Sequence, residues 1–222
     1  MRRTRIKICG ITRQPDLIAA VEAGADAVGF VFYPQSARYV SPERARTLST
    51  QVPPFVTSVG LFVNEDAARV RDISRQAGLQ LLQFHGDEPP EYCAQFDLPY
   101  IKAARVTAGL DLLKFSQQYK TARGIILDAF VEGFGGGGEV FDWDLIPENF
   151  AGRGAHFVVS GGLRPSNVGE GIKSLRPFGV DVSSGVESDP KNNKGIKDAA
   201  LIRQFVSAVR LADAELNQES QT

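Results

Sequence analysis

The stretch H-F-V-V-S-G-G-L-R-P-S-N-V-G-E-G-I-K-S-L-R-P-F-G-V-D-V-S-S-G-V-E, residues 156–187, holds two apolar runs, each closed by a glycine turn. Phe157-Val158-Val159 leads into Ser160-Gly161-Gly162, and Gly179-Val180-Asp181-Val182 leads into Ser183-Ser184-Gly185. Between them, Arg164-Pro165-Ser166-Asn167 supplies the polar and proline residues that open a helix, predicted over 165–175. Strand, helix and strand in this order form a parallel unit.

The same alternation extends over the whole chain. Strands are predicted near 4–9, 26–32, 55–63, 79–85, 99–105, 123–128, 155–160 and 179–183. Amphipathic segments follow near 14–23, 42–50, 65–77, 88–96, 109–120, 142–149, 165–175 and 195–211, the sixth being the least marked. Gly24 and Gly78 stand where a helix C′ glycine is expected, and Ser41-Pro42-Glu43 reads as an N-cap followed by proline. Eight β-then-α units without a linker predict an α/β fold of the (β/α)8 TIM-barrel type, one domain over 1–222. The polar tail, 217–222, is expected to fray.

Composition narrows the function. The 222 residues are 43% apolar and 23% charged, the balance of an ordinary globular chain. Lys plus Arg number 25 against 26 Asp plus Glu, a net charge of −1, so no basic excess favours nucleic acid. Two cysteines and two histidines are too few for a disulfide framework and few for a metal site. No apolar run approaches the roughly 18 residues that span a bilayer. The first ten residues lack the apolar segment of a secretory signal. A cytoplasmic protein without membrane or nucleic-acid partners is expected.

A barrel strand is covered on one face by helices and fills the interior with the other. Period-2 alternation assigns Ile6, Ile8, Leu82, Phe84, Ile125, Leu127, Val180 and Val182 to the helix side. Lys7, Cys9, Gln83, His85, Asp128, Asp181 and Ser183 are left pointing inward. Interior charge requires a partner, and Lys7 is expected to pair with Asp181 where strands 1 and 8 close the barrel. Cys9, His85, Asp128 and Ser183 also end their strands, on the face where this fold carries its active sites. Cys93 and His156 read as structural residues. Gly161, Gly162, Ser184 and Gly185 form two turns whose backbone N–H groups can converge on a phosphate. The run Gly135-Gly136-Gly137-Gly138 reads as a mobile loop beside Asp128.

K-I-C-G-I-T (7–12), G-A-D-A-V-G-F-V-F-Y-P-Q-S-A-R-Y (24–39), Q-F-H-G-D-E (83–88), F-D-W (141–143), S-G-G-L (160–163) and D-V-S-S-G-V-E (181–187) together resemble phosphoribosylanthranilate isomerases. The motifs stand in the family's order. The resemblance implies a (β/α)8 enzyme of tryptophan biosynthesis that works without metal or cofactor on a small phosphorylated substrate. It implies Cys9 as general base, Asp128 as general acid and Arg38 on the anthranilate carboxylate, with His85 also at the substrate. Two departures are Gly137, where the family usually has Ser or Thr, and Phe84, where Leu is common.

The residue types suit an aldose-to-ketose (Amadori) rearrangement. A protonated Asp128 would open the ribose ring, and a Cys9 thiolate would take the proton from C2. Lys7, two residues from Cys9 on one face, is expected to lower the thiol pKa. Rival readings are a histidine-pathway or dual-substrate sugar isomerase, which usually pairs two aspartates, and a phosphate-binding barrel without catalysis. The chain is expected to be a monomer or a weak homodimer.

Overall fold

Runs of branched apolar residues pair side by side in parallel in a computed structural model, which describes residues 3–129, 143–147, 150, 156–189 and 192–219. The strands are β1 (Arg5–Cys9), β2 (Ala27–Val31), β3 (Thr57–Phe62), β4 (Leu81–Phe84), β5 (Tyr100–Val106), β6 (Gly124–Ala129), β7 (Phe157–Val159) and β8 (Gly179–Val182). They pair in sequence order, and β8 returns to β1 to close the barrel. The fold is the (β/α)8 barrel that the alternation predicts.

The helices are α1 (Gln14–Ala23), α2 (Pro42–Ser49), α3 (Ala67–Ala77), α4 (Pro90–Cys93), α5 (Leu112–Gln118), α6 (Val168–Leu175) and α7 (Ala199–Glu219). Gly24 and Gly78 take left-handed backbone at the ends of α1 and α3, and Ser41 Oγ accepts from the Arg44 N–H at the start of α2. Two expectations were too long. The segment 88–96 keeps one turn, Pro90–Cys93, and starts no earlier because Pro89, extended before a proline, serves as its N-cap. The segment 142–149 shows, among its described residues, a single 3₁₀ turn at Trp143–Leu145, and Pro147 bars its continuation. One was too short. α7 runs on through Asn217–Glu219, where a frayed tail was expected. The glycine run 135–138, with Gly137, lies outside the described residues.

The two faces of the strands bury into separate layers. Ile6, Ile8, Leu82, Phe84, Ile125, Leu127, Val180 and Val182 join the large cluster shared with the helices. Inside the barrel, Val59, Ile101, Ala103 and Ile126 form one apolar floor. Above it, Cys9 packs with Val31, Leu61 and Val63 toward the C-terminal rim. Polar side chains occupy the rest of that end, so the barrel is dry below and polar above. Phe84 packs in the outer layer, edge-on to Tyr92 and tilted against Phe96 and Tyr100.

Candidate active site

Cys9 ends β1 and is buried, with Gly29 of β2 directly opposite in the register. A Cβ on Gly29 would stand 2.9 Å from the Cys9 sulfur, so glycine there makes room for the thiol. Lys7 lies two residues deeper on the same face. Its Nζ donates to Asp181 Oδ1 at 2.9 Å, the interior pair that the alternation predicts. Burial would depress the Lys7 ammonium, but Asp181 and Cys9 outweigh it and hold its pKa above the ordinary lysine value. The Cys9 thiol behaves differently from the expectation. Burial pushes its pKa up, and the opposing pull of Lys7 is weakened by Asp181, whose own charge raises the thiol further. A positive neighbour that already carries its own counter-ion lowers a thiol less than a free one would.

Asp128 stands one residue before the end of β6. Its Oδ2 lies 3.0 Å from His85 Nε2, and His85 Nδ1 lies 3.0 Å from Gln83 Nε2. The loop that carries His85 is fastened from behind. Glu88 accepts from the backbone N–H groups of Gly86 and Asn64, at 3.0 and 2.7 Å, and is paired with Lys102 at 3.1 Å. Lys102 also donates to the Gly86 carbonyl at 2.6 Å. This pair was not foreseen. Lys102 occupies an outward position on β5, between inward Ile101 and Ala103, where apolar packing is the ordinary expectation. A lysine in such a place was the available signal.

Arg38 is also where sequence reasoning was incomplete. It sits in the loop after β2 and is 8% exposed, so it is no solvated arginine. Its Nε and Nη2 donate to the two oxygens of Glu187, at 2.7 and 3.0 Å. Lys197 donates to Glu187 at 3.0 Å and to the Ser183 carbonyl at 3.0 Å. Burial would raise the Glu187 carboxyl, but the Arg38 hydrogen bonds and the Lys197 charge hold it below the ordinary glutamate value. Burial lowers the Lys197 ammonium against the pull of Glu187. Glu187 and Lys197 are the residues that the sequence reading missed. Glu187 closed the D-V-S-S-G-V-E motif, and its charge right after an apolar turn was the signal.

The glycine turns meet at the ends of β7 and β8. Gly161 and Gly162 have φ of 75° and 64°, left-handed values that glycine tolerates without strain. Ser184–Val186 forms a 3₁₀ turn, and a Cβ on Gly185 would lie 1.8 Å from the Leu163 carbonyl. Only glycine lets the two loops approach this closely. None of the N–H groups of Gly161, Gly162, Ser184 or Gly185 donates to another described residue. Asn167 ties the first turn to α6, donating to the Gly162 carbonyl and accepting from the Arg164 N–H. His156 precedes β7 and stacks on Phe178, away from the rim, while Cys93 is buried as the last residue of α4. Among the described residues no cluster of His, Cys, Asp and Glu is placed to hold a metal ion, and no helix is long and apolar enough to cross a membrane.

A parallel barrel whose C-terminal rim carries a thiol, a carboxyl paired with histidine, and two glycine turns with unengaged amides defines an enzyme of acid–base chemistry on a small anionic ligand. Residues 6–208 match the family described as PRAI, N-(5'phosphoribosyl)anthranilate (PRA) isomerase. The N-(5'-phosphoribosyl)anthranilate isomerase of Dechloromonas aromatica is 56% identical over 214 residues, covering 96% of this chain and all of that one. The crystal structure of phosphoribosyl anthranilate isomerase from Thermotoga maritima superposes with a TM-score of 0.85 at 44% identity, covering 93% of this chain and 98% of that one. A phosphoribosyl anthranilate isomerase in complex with reduced 1-(o-carboxyphenylamino)-1-deoxyribulose 5-phosphate matches with a TM-score of 0.82 at 43% identity, over 93% and 98% of the two chains. The chain belongs to the N-(5'-phosphoribosyl)anthranilate isomerase family, aldose–ketose isomerases of tryptophan biosynthesis.

Proposed function

We propose that this chain runs the Amadori rearrangement of N-(5'-phosphoribosyl)anthranilate with Asp128 as general acid and Cys9 as general base. The Asp128 carboxyl gives its proton to the ribose ring oxygen as the C1–O bond breaks and the anthranilate nitrogen forms a Schiff base with C1. Cys9 then removes the C2 proton, and the electron pair neutralises the nitrogen as an enolamine. The enol hydroxyl gives up its proton while C1 gains one, leaving a ketone at C2. The observation that carries this reading is the placement of thiol and carboxyl at the C-terminal ends of β1 and β6, on the rim that also holds the glycine turns.

The phosphate is held by the N–H groups of Gly161, Gly162, Ser184 and Gly185. Arg38 meets the anthranilate carboxylate with the part of its guanidinium that Glu187 leaves over, since two of its five N–H groups go to Glu187. His85 reaches the substrate through its bond to Asp128. A single domain, monomeric or weakly dimeric, acting in the cytoplasm without a cofactor or nucleic acid, completes the proposal. Adding freshly made phosphoribosylanthranilate to the purified protein should abolish the substrate's fluorescence at a rate proportional to enzyme. Unchanged fluorescence would overturn the assignment. Sedimentation across a range of concentrations tests the assembly, and a stable larger oligomer would contradict it.

A further inference from the structure

Among the inward polar side chains of the described residues, Gln83 has no part in the mechanism above and, unlike Lys7 and Asp181, no charged partner. Gln83 is wholly buried in β4, with its Nε2 3.0 Å from His85 Nδ1. Its Oε1 has no hydrogen-bond partner among the described residues. An orphaned carbonyl in a packed interior is a cost to stability, and leucine or methionine would fill the same space without it. A residue retained at such a cost calls for a role outside packing.

An amide nitrogen only donates, so Gln83 Nε2 facing Nδ1 requires that Nδ1 carry a lone pair. A neutral imidazole then has its proton on Nε2, which points at Asp128 Oδ2. We propose that Gln83 is a positioning residue for the acid, holding His85 in the Nε2–H tautomer so that Asp128 Oδ2 always accepts from it. The inference rests on the reading of Asp128 as the acid. The chain Gln83 to His85 to Asp128 serves both states of that acid. With Asp128 protonated, the Nε2–H donates to Oδ2 and holds the carboxyl in one orientation. After transfer, the same N–H stabilises the carboxylate, and no proton on the imidazole has to move. Lys102 and Glu88 fix the loop just beyond His85.

The chain has only two histidines, which makes the tautomer directly readable. Nitrogen-15 NMR of the imidazoles, with His156→Gln to identify the exposed ring, should show His85 protonated on Nε2 and bare at Nδ1. Gln83→Glu presents only acceptors and should move a proton onto Nδ1, lowering kcat roughly 10–10²-fold while KM changes by less than about threefold. Gln83→Met, close in shape, should lower kcat similarly with its melting temperature kept or raised. A wild-type His85 protonated on Nδ1 overturns the proposal, whatever the variants do, and so does full kcat in both variants. Asp128→Asn separates the two readings. Full activity there removes Asp128 as the acid, whereas an inactive Asp128→Asn beside a failed tautomer test removes only the role of Gln83.

Discussion

Lys7 and Asp181 face each other directly in the register of β1 and β8, with Nζ and Oδ1 2.9 Å apart inside the closing seam of the barrel. Both side chains are less than a tenth exposed, so neither charge can be left to water. Breaking a buried pair from one side costs about 3–5 kcal/mol, because the remaining charge stays in a low dielectric. Lys7→Met and Asp181→Asn should each lower stability by that order in denaturant titrations. The double variant should lose less than the sum. Additive losses would show that the two groups do not act as a pair.

Cys9 carries a thiol that burial holds above the ordinary value. A thiol must be deprotonated to react, so iodoacetamide labelling of Cys9 should climb with pH and continue climbing past the ordinary thiol pKa. Cys93, pushed up to about 12 by burial and 0% exposed, should label far more slowly. Cys9→Ala should lower kcat by about 10²–10⁴-fold with KM little changed. A plateau below the ordinary thiol range would mean that Lys7 controls the thiol after all.

Glu187 titrates with the opposite sign. Its folded pKa is depressed, so its contribution to stability is present above the unfolded glutamate value and is lost as pH falls through the folded value. Acid unfolding should therefore include a component, below the ordinary glutamate range, that Glu187→Gln removes. The variant should melt lower than wild type near neutral pH, and the gap should close in acid. A constant gap at all pH values would assign the effect to packing.

The sequence made the barrel and the inward polar set legible for one reason: period 2 is a strict geometric rule. Each strand buries both faces, so Lys7, Asp128 and Asp181 had to share the interior once Ile8, Leu127 and Val182 were given to the helices. Partner choice is set by the loops, and loop geometry has no such period. Arg38 and Glu187 come from the ends of different strands, 149 positions apart, and nothing local joins them. The Lys102–Glu88 pair was hidden because it breaks the rule on the outer face. The helix at 88–96 starts late because Pro89 is held extended as its N-cap, and the one at 142–149 stops short where Pro147 interrupts the amphipathic pattern. The thiol shift was misjudged because the charge on Lys7 was visible in sequence, while the degree to which Asp181 offsets it was not.

Arg38 separates recognition of anthranilate from recognition of any phosphosugar. Glu187 grips its Nε and Nη2, and Lys197 balances the extra negative charge, so the guanidinium is fixed in orientation before substrate arrives. A guanidinium fixed in this way can still offer a fork to a carboxylate, which an ammonium cannot reproduce. Arg38→Lys should raise KM with a smaller effect on kcat, since the contact exists in the ground state and the transition state alike. Glu187→Gln should raise KM in the same direction by a smaller factor, because it loosens the clamp without removing the cation. Both penalties should disappear for a substrate built on aniline, which lacks the carboxylate. If aniline and anthranilate substrates suffer equally, Arg38 supports its loop through Glu187 and contributes nothing to the choice of substrate.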